Sequence, residues 1–187
     1  MHMEFIVSDT LKPYTMITDF VTGREIPNIG AEANRQAVEK YLVNEKGYSK
    51  ADLDVDVKLE MAIAGKPYRS QVDLVVRVDS SRPPIMAVKC AAGSLGSRER
   101  EIVAAASLLE EYPIPLAVVS DGNSAIVLDT ASGKKTGEGL AAIPSKEAAG
   151  RMLDTYRPVI LVAERREREK LIFRTFDSDN VNVQRNI

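Results

Sequence analysis

One cysteine (Cys90) and one histidine (His2) are all that the 187-residue chain holds of the two most versatile ligand and nucleophile side chains. A single cysteine excludes a disulfide within the chain and points to a reducing cytoplasm. A lone histidine all but removes a histidine-based triad or a histidine-rich zinc site. Tryptophan is absent. No apolar run approaches the roughly 18 residues that a membrane helix needs, and no secretory signal pattern opens the chain, so no membrane partner is expected. No GxxxxGK[ST] stretch is present, which leaves the chain without a P-loop motor of its own. Neither charge sign dominates: 25 Lys and Arg stand against 27 Asp and Glu, a net of -2, which argues against a histone-like polycation. Internal repeats and low-complexity segments are also missing.

What is present is ordinary globular composition, with 44% apolar and 28% charged residues, and enough length for one domain, 1–187, with a real core. Counting charge by segment is more informative than the total. Residues 65–100 hold Lys66, Arg69, Arg77, Arg82, Lys89, Arg98 and Arg100 against Asp73, Asp79 and Glu99, a net of +4, and residues 157–175 carry a net of +3. Two basic blocks form an anion-binding face if they meet in space, and otherwise a mixed solvated surface.

The periodicity predicts a helix over residues 31–44, closed by Gly47. Residues 54–64 alternate, with Val55, Val57, Leu59, Met61 and Ile63 on one face and charges on the other, the pattern of a half-buried strand. A turn at Gly65-Lys66-Pro67 leads to a strand over 72–78, a turn over 80–84 and a strand over 85–91. Ser97 is placed to cap a helix reaching about residue 112. A nearly all-apolar strand over 115–120 turns at Asp121-Gly122-Asn123 into a return strand over 124–130. Residues 145–155 look helical, and residues 159–176 read as a strand or helix followed by a helix, with Arg165, Arg166 and Arg168 interleaved among glutamates as a charged helix face. The order helix, three strands, helix, two strands indicates an α/β sandwich on a central mixed β-sheet flanked by helices.

Strand parity then brings chemistry together. Asp73 shares a face with Val75 and Arg77, and Lys89 shares one with Ala87 and Ala91. If neighbouring strands present those faces to each other, Asp73 and Lys89 converge. A carboxylate and an amine beside a helix bearing Glu32 suit Mg²⁺ and a phosphodiester, because Mg²⁺ takes oxygen ligands and only one or two protein carboxylates. Both residues sit in strongly apolar strands, where an unpaired charge is costly. The plain alternative is a structural salt bridge, and Glu32 with Arg35 is as readily a solvated helix pair. Cys90 points away from Lys89 and reads as a small core residue. The loop Gly93-Ser94-Leu95-Gly96-Ser97-Arg98 leads into a helix N-terminus, where free N–H groups and Arg98 can hold a phosphate. It can equally be a flexible loop with a cap.

In order and spacing, Glu32-x-x-Arg35 on a helix, then Val72-Asp73-Leu74-Val75-Val76, then Ile85-Met86-Ala87-Val88-Lys89, resembles the N-terminal nuclease domain of type I restriction enzyme R subunits. The later strand 113–119 and its Ser120-Asp121-Gly122 turn resemble it too. That domain belongs to the PD-(D/E)XK, restriction-endonuclease-like superfamily. The resemblance covers about residues 30–130, leaving extensions at 1–29 and 131–187. It implies a restriction-endonuclease-like sandwich and Mg²⁺-dependent (or Mn²⁺-dependent) DNA cleavage, with other restriction-modification subunits or a second copy of the chain as partners. It also implies Asp73 as metal ligand, Glu32 beside it, and Lys89 as the catalytic lysine. Arg69, Ser94, Ser97 and Arg98 are the expected nucleic-acid contacts.

One position departs from the pattern: the acid two residues before the lysine is Ala87. Some superfamily members take this acid from the helix after the lysine strand. Glu101, Glu99 or, on the first strand, Glu60 is then the replacement, with Glu101 as metal ligand and catalytic residue. Otherwise the domain binds or assembles without cutting, or Ala87 was introduced to inactivate it. A small-ligand α/β protein with a pocket near residues 93–97 is a third reading.

Overall fold

The computed structural model describes residues 14–184, with side chains described through residue 177, so His2 lies outside the described residues. A short antiparallel pair, β1 (Met16–Thr18) and β2 (Glu25–Pro27), precedes helix α1 (Glu32–Glu45). Then follow β3 (Leu53–Ile63), β4 (Lys66–Val76), β5 (Met86–Cys90), α2 (Glu99–Leu108), β6 (Leu116–Ser120), β7 (Ala125–Asp129), β8 (Lys135–Glu138), α3 (Lys146–Thr155) and α4 (Ala163–Gln184). The six strands β3 to β8 form one sheet in sequence order. Every pairing in it is antiparallel except β5 with β6, which are parallel and joined through α2.

The fold is therefore the expected α/β arrangement, with a mixed sheet between helices. On one face Leu74, Val76, Val88, Val118 and Val127 pack with Val38 and Leu42 of α1 and Ala149 and Leu153 of α3. On the other, Val75, Ala87, Ala117, Val119 and Leu128 pack with Ile102, Ala105 and Ala106 of α2 and Phe173 of α4. Coverage on both sides explains why β5 and β6 are almost continuously apolar. The turn after β6 needs its glycine: Gly122 has φ +84°, and a Cβ there would lie 2.7 Å from the Ala37 Cβ of α1.

The β3–β4 hairpin departs from the simple alternation. Its turn is Ala64-Gly65, not Gly65-Lys66-Pro67; both residues have positive φ (48° and 75°), which suits a two-residue hairpin turn. β4 therefore starts at Lys66, well before residue 72. Pairing also skips a rung: Val55 faces Leu74 and Val57 faces Val72, leaving out Asp56 and Asp73. Asp56 lies in the left-handed region, φ 52°, which aspartate enters more readily than most side chains. At this break the apolar face changes sides. Leu53, Val55, Leu74 and Val76 pack toward α1, whereas Val57, Leu59, Met61, Tyr68 and Val72 pack toward α2 and α4. Strict alternation placed Val55 and Val57 on one face; the left-handed backbone at Asp56 overrides it without changing the register.

Further differences are local. α2 ends at Leu108 rather than near 112, because the Ile114 N–H turns back to the Ala106 carbonyl (2.8 Å) and Pro113 disfavours helical geometry at Tyr112. Ser97 does not cap α2. It lies in a 3₁₀ turn, Gly96–Arg98, and its hydroxyl donates to the Ser94 carbonyl at 2.7 Å. Residues 159–162 are neither strand nor helix, and Val159, Ile160 and Val162 are exposed. The charged segment after them is helical, with the expected internal pairs Glu167–Lys170 and Arg165–Glu169. Among the described residues, no helix is long and apolar enough to cross a membrane.

Candidate functional site

Asp73 is the residue at which β4 parts from both neighbours. Its pairing with β5 covers only residues 74–76, and its rung with β3 is the missing one. The freed Cys90 N–H donates instead to Asp73 Oδ2 at 2.6 Å. One oxygen of the carboxylate thus closes the fork between two strands. The other, Oδ1, faces the Lys89 ammonium at 3.6 Å. Lys89 follows Ala87 on the same face of β5, so the convergence expected from strand parity is present.

The second carboxylate comes from α2. Glu101, only 2% exposed, sets Oε1 at 3.3 Å from Lys89 Nζ and Oε2 at 3.1 Å from the Arg98 guanidinium. Asp73, Lys89, Glu101 and Arg98 form a row of alternating charge at the mouth of the fork. Burial works against the charge on Lys89, but Asp73 first and Glu101 next more than offset it, so the lysine pKa is raised. The ammonium is held charged. Burial pushes the Cys90 thiol well up, which leaves it an inert core residue.

The other acids expected from the sequence go elsewhere. Glu60 pairs with Arg69 at 3.5 Å on the exposed part of the β3–β4 hairpin, away from Lys89. Glu99 begins α2, and Glu101 rather than Glu99 reaches the lysine. Glu32 belongs to a largely buried network centred on Arg35. The Arg35 guanidinium there bonds Glu32, Asp19 (2.8 Å) and Glu39 (2.7 Å), and Gln36 donates to both Asp19 and Glu32 at 3.1 Å. This network ties the β1–β2 hairpin to α1 and is not a solvated pair. Burial, with Asp19 and Glu32 adding to it against Arg35, pushes the Glu39 carboxyl up to about 7. Its Oε2 is buried without a hydrogen-bond partner.

Asp19, Glu39 and Asp56 were missed by the sequence reading. Glu39 had a signal, since it lies four residues after Arg35 on the stripe of Val38 and Leu42. Asp56 had none, because a single left-handed residue leaves no mark on the sequence alternation. Ser94 and Ser97 are exposed in the loop before α2, and Arg69 is exposed on the hairpin. Five members of the +4 block already face carboxylates: Arg69 with Glu60, Arg77 with Asp54 and Glu110, Arg82 with Asp154, Lys89 and Arg98 with Glu101. Much of the block's positive charge is thereby balanced by acids outside it.

Two carboxylates, Asp73 and Glu101, converge on one amine, and among the described residues no group of three or more acidic, histidine or cysteine side chains is arranged to hold a metal ion.

Ala87 itself is fully buried, opposite Val75 on β4 and Ala117 on β6, so the position two before the lysine is filled by core packing. No curated protein and no solved structure matches the chain. Residues 30–144, more than half of it, match the family described as Type I restriction enzyme R protein N terminus (HSDR_N). The matched segment runs from two residues before α1 to just past β8 and contains Asp73, Lys89 and Glu101, and on this basis the chain belongs to the type I restriction enzyme R protein N-terminal family.

Proposed function

We propose that the chain is a restriction-endonuclease-like module of the PD-(D/E)XK kind that hydrolyses DNA phosphodiesters with Mg²⁺ or Mn²⁺, Glu101 standing in for the acid absent at Ala87. One observation carries this: a helix-borne carboxylate reaches the same lysine as the strand-borne Asp73, at 3.3 and 3.6 Å. Asp73 and Glu101 are the residues to hold the ion, which when bound supplies an acidified water and neutralises phosphate charge. Asp73 is fixed for this by the Cys90 N–H, and Glu101 by Arg98, so neither carboxylate has to reorganise. Lys89, kept charged, orients the attacking water or steadies charge growing on the phosphate oxygens. In this reading Arg98, Ser94 and Ser97, at the N-terminal end of α2, and Arg69 on the β3–β4 hairpin are the residues that contact DNA phosphates. DNA and the other restriction-modification subunits are the partners this reading implies.

The test is plasmid cleavage with Mg²⁺ and Mn²⁺ by the wild type beside Asp73→Ala, Lys89→Ala and Glu101→Ala. Loss of cleavage by two orders of magnitude or more in each variant is expected. Unchanged cleavage in any of them removes that residue from the site. A second reading, DNA binding or assembly without cleavage, draws on the same geometry, because Lys89 between two carboxylates is also a complete ion-pair row. It predicts salt-dependent DNA binding in gel shifts and no cleavage by the wild type.

A further inference from the structure

Between α3 and α4 the chain passes from one face of the sheet to the other as a strap, residues 157–162, outside the segment that matches the family. Val159, Ile160 and Val162 are 72%, 59% and 68% exposed, more than any other large apolar side chain among the described residues, while Leu161 is buried. Tyr156 leaves α3 with extended backbone (φ -62°, ψ 132°), Pro158 disfavours helical geometry at Arg157, and valine and isoleucine favour the extended form. Among the described residues, no N–H group from 159 to 162 donates to a backbone carbonyl. Both ends of the strap are tied down. The Tyr156 hydroxyl donates to the Pro113 carbonyl at 2.7 Å, Arg165 to the Ala131 carbonyl at 2.6 Å, and Arg166 to the Leu108 carbonyl at 3.3 Å. An anchored run of strand-forming residues with unpaired backbone groups and outward apolar side chains is a template for a further strand.

We propose that this strap is a self-association surface, on which the strap of a second copy of the chain pairs antiparallel about a two-fold axis near Ile160. The charges that flank the apolar run identify the occupant. Arg157 stands before it and Glu164 after it, both exposed. Arg157 donates to the carbonyls of Asp154 and Tyr156, and among the described residues neither side chain has an ion-pair partner in its own chain. Antiparallel pairing sets the N-terminal flank of one strap against the C-terminal flank of the other, so Arg157 meets the Glu164 of the second copy at both ends. Parallel pairing would set like charges together. The run Val159-Ile160-Leu161-Val162 also reads nearly alike in either direction, as a contact made by the same patch on both copies requires. Pro158, which has no N–H, and the start of α4 at Ala163 limit the ladder to a few rungs, so the dimer is a weak one. Arg166 places the strap by the last turn of α2, whereas Glu101 is in the first turn, so the contact leaves the fork of each copy uncovered.

The experiment is sedimentation equilibrium of the full chain at low salt, from about 1 μM to about 500 μM. The mass is expected to rise with concentration from 20.5 kDa toward twice that value. Ile160→Lys is expected to weaken the dimer at least about tenfold, and Arg157→Glu or Glu164→Arg alone about fivefold. The double reversal, Arg157→Glu with Glu164→Arg, restores the opposite charges and is expected to return the affinity to within about twofold of wild type. Both reversals fall on exposed side chains outside the apolar run, so they decide the matter whatever Ile160→Lys does to folding, and circular dichroism at the lowest concentration checks that each variant keeps the wild-type fold. A wild type that stays at 20.5 kDa throughout overturns the inference and leaves the strap to a different chain. A dimer that none of the variants weakens overturns it too, as does growth of the mass beyond the dimer. Weakening by the single reversals without recovery in the double one overturns antiparallel pairing, and the proposal with it. The readout is mass, so a strap-dependent dimer that cuts no DNA supports this inference while the nuclease reading fails.

Discussion

Replacing Glu39 by glutamine should remove a pH dependence of stability. Glu39 is fully buried, one oxygen bonded to Arg35 at 2.7 Å and the other without a partner. Its carboxyl is pushed from 4.5 up to about 7 by burial, with Asp19 and Glu32 adding and Arg35 opposing. A group raised in the folded state favours folding when protonated. Its contribution is full below the unfolded value near 4.5 and is lost as pH rises through about 7. At about 1.4 kcal/mol per unit, roughly 3 kcal/mol is at stake across that window. Glutamine keeps the shape and an acceptor for Arg35 but cannot ionise, and Arg35 still faces Asp19 and Glu32. Urea unfolding of wild type and Glu39→Gln between pH 5 and pH 8.5 is the assay. The two should be close in stability near pH 5, and the variant should gain on wild type by about 3 kcal/mol by pH 8. Parallel pH profiles would refute the reasoning, for they would mean that Arg35 keeps Glu39 ionised throughout.

Substitutions at two further positions test the architecture of the fork. Asp56→Gly should be neutral or mildly stabilising, whereas Asp56→Val should cost about 1–2 kcal/mol, because a β-branched side chain resists the positive φ of 52°; chemical denaturation of both variants checks this. Ala87→Glu should lower unfolding free energy by about 3 kcal/mol or more, from overpacking between Val75 and Ala117 plus a carboxylate buried where packing is complete. A variant of wild-type stability that also cuts DNA faster would show instead that the position has room for an acid.

Much of the site was legible in the chain because strand parity is a strict geometric rule. Asp73 and Lys89, each an ionisable residue in an apolar run, had to face one side of their strands, and antiparallel pairing brought them together. Glu101 was readable only as one of several acids, since helix spacing alone does not say which turn lies over a given rung. The Glu32 network, the skipped rung at Asp56 and the hydrogen bond from the Tyr68 hydroxyl to Asp177 were not legible in the same way. Each joins residues from distant parts of the chain, or depends on a backbone angle that leaves no periodic trace.

By itself, the sequence determined the class of fold and which two strands carry charge inside the sheet, because burial on both faces forces continuous apolar runs in which Asp73 and Lys89 stand out. Only the tertiary structure decided which acid joins them. Glu101, Glu99 and Glu60 are chemically alike, but α2 packs so that Glu101 alone of the three meets Lys89, while Ala87 is consumed by the core and Glu32 by Arg35. Coulomb energy depends on distance in space, and distance in space is set by packing.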